Sequence, residues 1–499
     1  MPMPAMINRY ITDLPVEAYA RQAARQPGQP NWLLTNPALA QALGVPTTTL
    51  EGKTNAEQWA QGRLPVETQP VALAYAGHQF GMPVPQLGDG RALILGQLAH
   101  DDGDWRDLQL KGSGPTVFSR RGDGLAALGP VLREYLVSEA MHALGIPTTR
   151  ALAALGTGES IAREFGPEPG AILVRVARSH LRFGSFEYFA HRGDQQGLKT
   201  LADVAIHWHF PALQNRPAPQ RYRELLIALV DQTAALISEW MRVGFIHGVL
   251  NTDNMSIAGE TLDFGPCALM DVFRSDQVYS AVDRAGRYAY DQQPAIGHWN
   301  LTRLAECFLP LLDDDPTQAI DAAEAIVDDY PNRFRQHYEW ALLRKFGLYT
   351  NDANHRQIGM EIAERWLSLL QKQQCDFTHS FRLLGAQSPS EPAQAEQLLQ
   401  WFNQDPALSD WLETYTQALN AAAITEPERQ AQMMAANPIY IPRNHQVELA
   451  IDAARQGDLG PAKQLNRVLT HPYTAQEGVD HLAQPPNPQQ IVTTTFCGT

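Results

Sequence analysis

Two short polar loops, set a fixed distance apart behind one long amphipathic run, constrain this chain more than any other feature. The first is His247-Gly248-Val249-Leu250-Asn251-Thr252-Asp253-Asn254, and the second, nine residues after Asn254, is Asp263-Phe264-Gly265. From Tyr222 to Met241 the apolar residues Leu225, Leu226, Leu229, Val230, Ile237, Trp240 and Met241 recur at helical spacing, and Gly244 supplies a stop. Between the loops, Met255-Ser256-Ile257 and Thr261-Leu262 are short strand candidates around the turn Ala258-Gly259-Glu260. The order helix, loop, hairpin, loop would bring Asp253, Asn254 and Asp263 to one cleft, where oxygen ligands suit magnesium or manganese. Each of these residues beside a glycine also serves as a plain turn former. The ordered set is what points to a metal.

Protein kinases use the same layout: H-R-D-x-x-x-x-N supplies a catalytic base and a metal-binding Asn, and D-F-G a second metal ligand. The His-to-Asn spacing of seven is kept here, from His247 to Asn254. The position of the kinase base is Val249, and a valine cannot accept a proton. Either the chain binds nucleotide without catalysis, or Asp253 serves a different phosphorus chemistry.

The upstream half supplies what such a cleft needs. Gln86-Leu87-Gly88-Asp89-Gly90-Arg91 is a glycine-containing turn before Ala92-Leu93-Ile94-Leu95, and Gly88 and Gly90 could let backbone N–H groups approach phosphate. After the turn Asp101-Asp102-Gly103-Asp104, Leu108 and Leu110 point to one side of a strand and Gln109 and Lys111 to the other. Pro130 opens a helix to about Leu144, and Glu134, 23 residues after Lys111, lies in its first turns. A helix-borne Glu can fix a strand-borne Lys for phosphate contact; a lone Glu on a helix is more often solvated. Arg175 interrupts the apolar run Ile172 to Ala177, with Arg178 and Arg182 following. A phosphate, a buried carboxylate or an exposed strand edge would each explain it.

Together with Tyr75-Ala76-Gly77-His78-Gln79-Phe80-Gly81, Arg133-Glu134-Tyr135-Leu136 and Arg182-Phe183-Gly184-Ser185-Phe186-Glu187-Tyr188-Phe189, these motifs closely resemble the selenoprotein O family, from about residue 66 to the C-terminus. The resemblance implies an α+β, protein-kinase-like bilobal fold and a protein adenylyltransferase. AMP would pass from ATP to Ser, Thr or Tyr hydroxyls of proteins with Mg2+ or Mn2+, and ATP would be inverted relative to kinases. It implies nucleotide contacts from Gly88, Gly90, Arg91, Lys111, Asp123, Gly124, Arg175, Arg182 and Asp263. It further implies Asp253 as proton acceptor and Asn254 and Asp263 as metal ligands, with Glu134 in support. UMP transfer, phosphotransfer by the same cleft and a silent pseudokinase scaffold are the alternatives. Eukaryotic members carry selenocysteine near the C-terminus; this chain has Cys497. Some bacterial relatives pair a tail cysteine with one between the metal loop and a Gly-Arg-Tyr motif, where this chain has Tyr279-Ser280 before Gly286-Arg287-Tyr288. Cys267 could substitute only if the tail reaches the metal loop; Cys267, Cys307 and Cys375 are otherwise expected as small buried residues.

Four cysteines in 499 residues are too few for a disulfide framework, which points to a reducing compartment. A net charge of −15 (39 Lys plus Arg, 54 Asp plus Glu) argues against broad nucleic-acid binding. With no membrane-length apolar run and no leader pattern, a bacterial cytoplasmic monomer without membrane or nucleic-acid partners is expected. Residues 1–65 read as an irregular lead-in with short helices, 66–189 as a mixed lobe, 190–435 as a helical lobe and 436–499 as a helical segment with a flexible tail. His78, His180, His207, His209 and His247 lack paired ligand spacing with Cys, so orienting or core roles are expected.

Overall fold

The computed structural model describes residues 2–164, 166–386 and 396–496. Its frame is one antiparallel sheet whose strands alternate as the pattern around Lys111 requires. In chain order the strands are β1 Tyr19–Arg21, β2 Asn31–Thr35, β3 Val71–Leu73, β4 Gly77–Gln79, β5 Met82–Val84, β6 Ala92–Ala99, β7 Trp105–Lys111, β8 Ala126–Ala127, β9 Arg150–Arg163, β10 Gly166–Ala177, β11 Phe245–Ile246 and β12 Ala268–Leu269. The main sheet runs β1-β3-β6-β7-β10-β9-β2, with β8 paired to β10. In its middle, β10 pairs with β7 so that Arg175 faces Gln109 and Leu173 faces Lys111. That register puts Gln109, Lys111 and Arg175 on one face, because alternate residues share a side.

The helix Leu128–Ala143 packs on this sheet and is buried along almost its whole length. Leu132, Tyr135 and Leu136 are fully buried there, each contributing roughly 1.5–3 kcal/mol of burial. The helices Asn444–Arg455 and Gly460–Leu469 cover it from the other side and complete that core, and Arg133 pairs with Glu448. The C-terminal segment is therefore part of the packing around Glu134.

A second core is helical. Gln220–Val243 runs through it and ends on Gly244 at φ 74°, a left-handed stop that favours glycine. Trp240 is buried and donates to the Thr261 hydroxyl at 2.8 Å, which fixes the start of the metal loop to the helix that precedes the catalytic loop.

Three expectations need correction. The first 65 residues are not an irregular lead-in: β1 and β2 form the two edges of the main sheet. Their short length and exposed polar ends hid them from a period-two reading. The segment 255–262 is not a regular hairpin but makes isolated bridges, Met255 to Thr261, Arg182 to Ser256 and Thr148 to Thr261. Its amides bond outward, Ile257 to the Leu181 carbonyl and Thr261 to the Pro147 carbonyl, each at 2.9 Å. The tail is not free at its end: Thr495 is buried, its amide donates to the Tyr279 carbonyl at 2.8 Å, and its hydroxyl to the Pro266 carbonyl at 2.5 Å. The tail thus reaches the metal loop. Cys497 lies outside the described residues.

Tyr10 anchors the N-terminal segment. Its hydroxyl donates to Asp107 at 2.6 Å and accepts from the His180 amide, while His180 Nδ1 lies 2.7 Å from the same carboxylate. All three side chains are buried. Tyr10→Phe leaves this cluster one bond short, and a loss of about 1–3 kcal/mol in urea unfolding is expected, with nucleotide affinity unchanged.

Candidate active site

The sheet face carrying Lys111 and Arg175 meets the two polar loops across a cleft of about 820 Å3. Gly88, Gly90, Arg91, Lys111, Asp123, Gly124, Glu134, Arg175, Arg182, Asp253, Asn254 and Asp263 all line it. Arg178, named with Arg175 and Arg182 in the sequence, instead lines a separate cavity with His207 and His209.

Asp263 is its centre of charge. Its Oδ1 accepts from Lys111 Nζ at 2.7 Å and Arg175 Nη1 at 2.6 Å, and its Oδ2 accepts from Arg182 Nη1 at 2.6 Å. Glu134 completes the cluster, 2.6 Å from Lys111 and 3.0 Å from Arg175. Burial opposes ionisation of Asp263, but Lys111, Arg182 and Arg175 outweigh it and hold the carboxyl well below its usual range. Of the three readings of Arg175, the buried carboxylate is the one met: its guanidinium also donates to Gln109 Oε1 at 3.0 and 2.7 Å. Asp263 itself sits at φ 65°, a left-handed backbone unusual for a side-chain-bearing residue. Strain of this sort persists where surrounding contacts over-determine it, as three cations do here.

Asp253 has different surroundings. Its Oδ2 accepts from Gln79 Nε2 at 3.3 Å, and its Oδ1 is buried without a partner. Burial raises its pKa to about 6, against the pull of Arg182 and Gln79. The two aspartates are thus separated electrostatically: one is held ionised among cations, the other is poised to exchange a proton near neutrality. Asn254 Nδ2 is tethered to the Val249 carbonyl at 2.8 Å, which leaves its Oδ1 for a ligand. His247 Nε2 lies 2.9 Å from the Leu262 carbonyl and ties the two loops together. The expected orienting role of the histidines holds at His78 (3.0 Å from Glu187), His180 and His247.

The glycine turn differs from its expected use. The amides of Asp89 and Gly90 bond to the Leu73 and Gly88 carbonyls at 2.9 and 2.8 Å, and a Cβ on Gly88 would lie 2.5 Å from the Phe118 ring, so its glycine serves close packing of the turn. Gly124 has φ 69°, and a Cβ there would lie 2.2 Å from Pro115 N; only glycine fits. Asp123 is half-exposed and pairs with Arg163 at 2.7 Å.

Asp89, Gln109 and Tyr75 were not singled out. Asp89 is buried, accepts from the Leu73 amide at 3.2 Å and lies 3.9 Å from Arg182, whose guanidinium stacks 4.7 Å from the Tyr75 ring centre. The available signal was that Gln109 shares a strand face with Lys111, and that Asp89 sits between the two turn glycines. Cys267, Cys307 and Cys375 are free and buried, and burial raises the Cys267 thiol to about 12, so it is unreactive as it stands.

Among the described residues, no cluster of three His, Cys, Asp or Glu side chains could hold a metal unaided. Magnesium sites built with substrate phosphates need only one or two carboxylates, and the Asp263 carboxylate with the untethered Asn254 oxygen fits that donor set. A glycine-bearing turn, a Lys–Glu pair, converging arginines and an Asn/Asp pair in one cleft fit a nucleotide-dependent transferase. The chain belongs to the family described as protein adenylyltransferase SelO, whose model matches residues 6–470. It is 49% identical over 487 residues to the protein nucleotidyltransferase YdiU of Alkalilimnicola ehrlichii, covering 97% of each chain. It is 47% identical over 487 residues to that of Rhodopseudomonas palustris, again covering 97% of each. It is 49% identical over 492 residues to that of Methylorubrum extorquens, at the same coverage. This chain is therefore a nucleotidyltransferase, an enzyme and not a silent scaffold. No helix among the described residues is long and apolar enough to cross a membrane.

Glu134→Ala removes one of the two carboxylates that Lys111 and Arg175 share in a buried setting and is expected to cost about 3 kcal/mol in unfolding free energy. The loss in Lys111→Ala plus Glu134→Ala together should be smaller than the sum of the single losses, read by denaturant titration. Additive losses would mean that the pair is not coupled.

Proposed function

We propose that the chain transfers AMP from ATP to Ser, Thr or Tyr hydroxyls of proteins, on a kinase-like pair of lobes spanning 66–189 and 190–435, with 1–65 and 436–499 as the flanking segments. The observation that carries the reading is that Lys111, Arg175 and Arg182 converge on Asp263 while Asp253, in the same cleft, keeps one carboxylate oxygen without a partner. In a γ-phosphoryl transfer the reacting phosphorus would need the base next to the outer phosphates. Here Lys111, Arg175 and Arg182 lie within 2.7 Å of one carboxylate, and Arg91 lines the same cleft. Such a cluster suits the outer phosphates, which leaves the α-phosphorus toward Asp253. That is the inverted orientation of ATP.

Asn254 and Asp263 would hold Mg2+ or Mn2+, which neutralises phosphate charge and polarises the phosphorus when bound. The acceptor hydroxyl forms a bond to the α-phosphorus and gives its proton to Asp253. The bond from that phosphorus to the α–β bridging oxygen breaks, and pyrophosphate leaves with the electron pair, its charge met by Lys111, Arg91, Arg175 and Arg182. Gly88, Gly90, Asp123 and Gly124 shape the nucleotide's path, and Glu134 keeps Lys111 in place. ATP and an acceptor protein are the partners, the protein acting as a monomer in the bacterial cytoplasm.

Label from α-labelled ATP should appear on acceptor protein with the mass gain of AMP, and γ-label should not. Transfer of γ-label alone would mean a kinase orientation and overturn the reading. Asp263→Asn should abolish transfer with the circular dichroism spectrum retained, since a neutral amide cannot balance metal and triphosphate.

Asp253→Ala should lose transfer and keep nucleotide binding. With a carboxyl raised to about 6, the base form is lost as pH falls through that value. The kcat/KM profile should therefore show an acid limb near pH 6, because that ratio reports the free enzyme. A flat profile from pH 5 to 8 would remove Asp253 from the role.

A further inference from the structure

The β4–β5 hairpin takes no part in the chemistry above, yet it is bound to the Asp253 loop at three successive residues. The His78 amide donates to Thr252 Oγ1 at 2.7 Å, the Gln79 side chain reaches Asp253, and the Phe80 amide donates to Asn251 Oδ1 at 3.0 Å. The approach is tight: a Cβ on Gly77 would lie 2.5 Å from Asp253 Oδ1. The hairpin turns at Phe80-Gly81 with φ 52° and 82°. Positive φ at both turn centres matches the twist of a two-residue hairpin, but for a phenylalanine it is strained. The strain presents an aromatic ring to solvent, since Phe80 is 40% exposed and its neighbour Met82 69%.

Arg287 stands beside this tip. Its Nη2 lies 3.4 Å from where a Cβ on Gly81 would be, and its guanidinium stacks 4.8 Å from the Trp299 ring centre. Tyr288, next in sequence, touches Phe80 at 5.1 Å between ring centres and donates to Asn251 Oδ1 at 2.5 Å. Arg287 has no carboxylate at ion-pair distance among the described residues, and its Nε is buried without a partner. Asp283 does not neutralise it: that carboxylate accepts the backbone amides of Arg287 and Tyr288 at 2.9 and 2.7 Å. An arginine held by aromatic rings, with the Tyr288 hydroxyl beside it, an unmet Nε and no carboxylate at ion-pair distance among the described residues, is a site for an anion. The triphosphate has its own cations in Lys111, Arg175 and Arg182, and Arg287 is not among the residues that line their cleft.

We propose that the Phe80-Gly81 tip and Arg287 form the docking site for the acceptor polypeptide. The acceptor lays an apolar side chain on Phe80 and Met82 and pairs a carboxylate, close in sequence to the reacting hydroxyl, with Arg287. Gln79 is a positioning residue that holds the Asp253 carboxylate through Oδ2. The substrate class is thus a hydroxyl-bearing segment flanked by acidic residues. This rests on the adenylyltransferase reading, because only a transfer to protein requires such a site.

The test uses the full chain, α-labelled ATP and synthetic peptides with a central Ser, Thr or Tyr flanked by Glu, Gln or Lys. The wild type should label the Glu series with a kcat/KM roughly tenfold or more above the Lys series. Arg287→Glu should reverse that order and Arg287→Lys should keep it, with ATP affinity by calorimetry unchanged in both. Gln79→Ala should lower kcat without moving the KM for ATP, and Gln79→Asn should restore part of it. Equal labelling of the three series by the wild type, which needs no variant to fold, would overturn the proposal. So would an Arg287→Glu enzyme that still prefers Glu peptides. Binding of fluorescent Glu and Lys peptides by anisotropy separates the two readings. Tighter binding of Glu peptides, lost in Arg287→Glu, supports the docking site even if no peptide is labelled, and absent labelling then counts against the transfer reaction alone.

Discussion

Three cations within 2.7 Å of the Asp263 carboxylate hold the two halves of this molecule in register. Lys111 and Arg175 come from the central strands of the sheet, Arg182 from the segment after it, and Asp263 from the loop behind the long helix. Lys111, Arg175 and Arg182 without a ligand would repel one another strongly in a low-dielectric cleft. Asp263, Glu134 and Asp89 balance them internally, so the cleft can be assembled before nucleotide arrives. A triphosphate entering it competes with Asp263 for the same donors, and each donor it takes frees a carboxylate oxygen. Breaking one partner of such a cluster is costly because the others remain buried and charged.

The flanking segments serve this centre. Tyr10 ties the N-terminal segment to Asp107 and His180, two residues from Gln109 and Arg182 respectively along the chain. The C-terminal helices press on the helix that carries Glu134, and Thr495 closes onto Tyr279 and Pro266 at the far side of the metal loop. The packing that fixes Lys111 and Glu134 therefore draws on both ends of the chain.

Local signals were legible where physics is local. The helix Gln220–Val243 and its Gly244 stop, the strand ending at Lys111 and the helix bearing Glu134 follow from periodicity and caps that act over a few residues. The edge strands β1 and β2 did not: three and five residues long, they gain their conformation from pairing with partners far along the chain, and no period within them reports it. The same holds for 255–262, where the amides of Ile257 and Thr261 find carbonyls at Leu181 and Pro147, far along the chain.

At the site, the residue types and their order set what chemistry the chain can support: a lysine on a strand, a glutamate on a helix, an Asn and two Asp on adjoining loops, and no proton acceptor at Val249. Sequence could not say which anion satisfies Arg175, because a phosphate and a buried carboxylate offer its guanidinium the same geometry. Only the fold placed Asp263 there, beside Gln109 and Glu134. Nor could it distinguish the two aspartates, which differ in surroundings and not in kind: one lies among three cations, and the other is buried beside Gln79 with an oxygen unmet. Proton affinity depends on burial and on charges brought close from distant parts of the chain, and those distances exist only in the folded molecule.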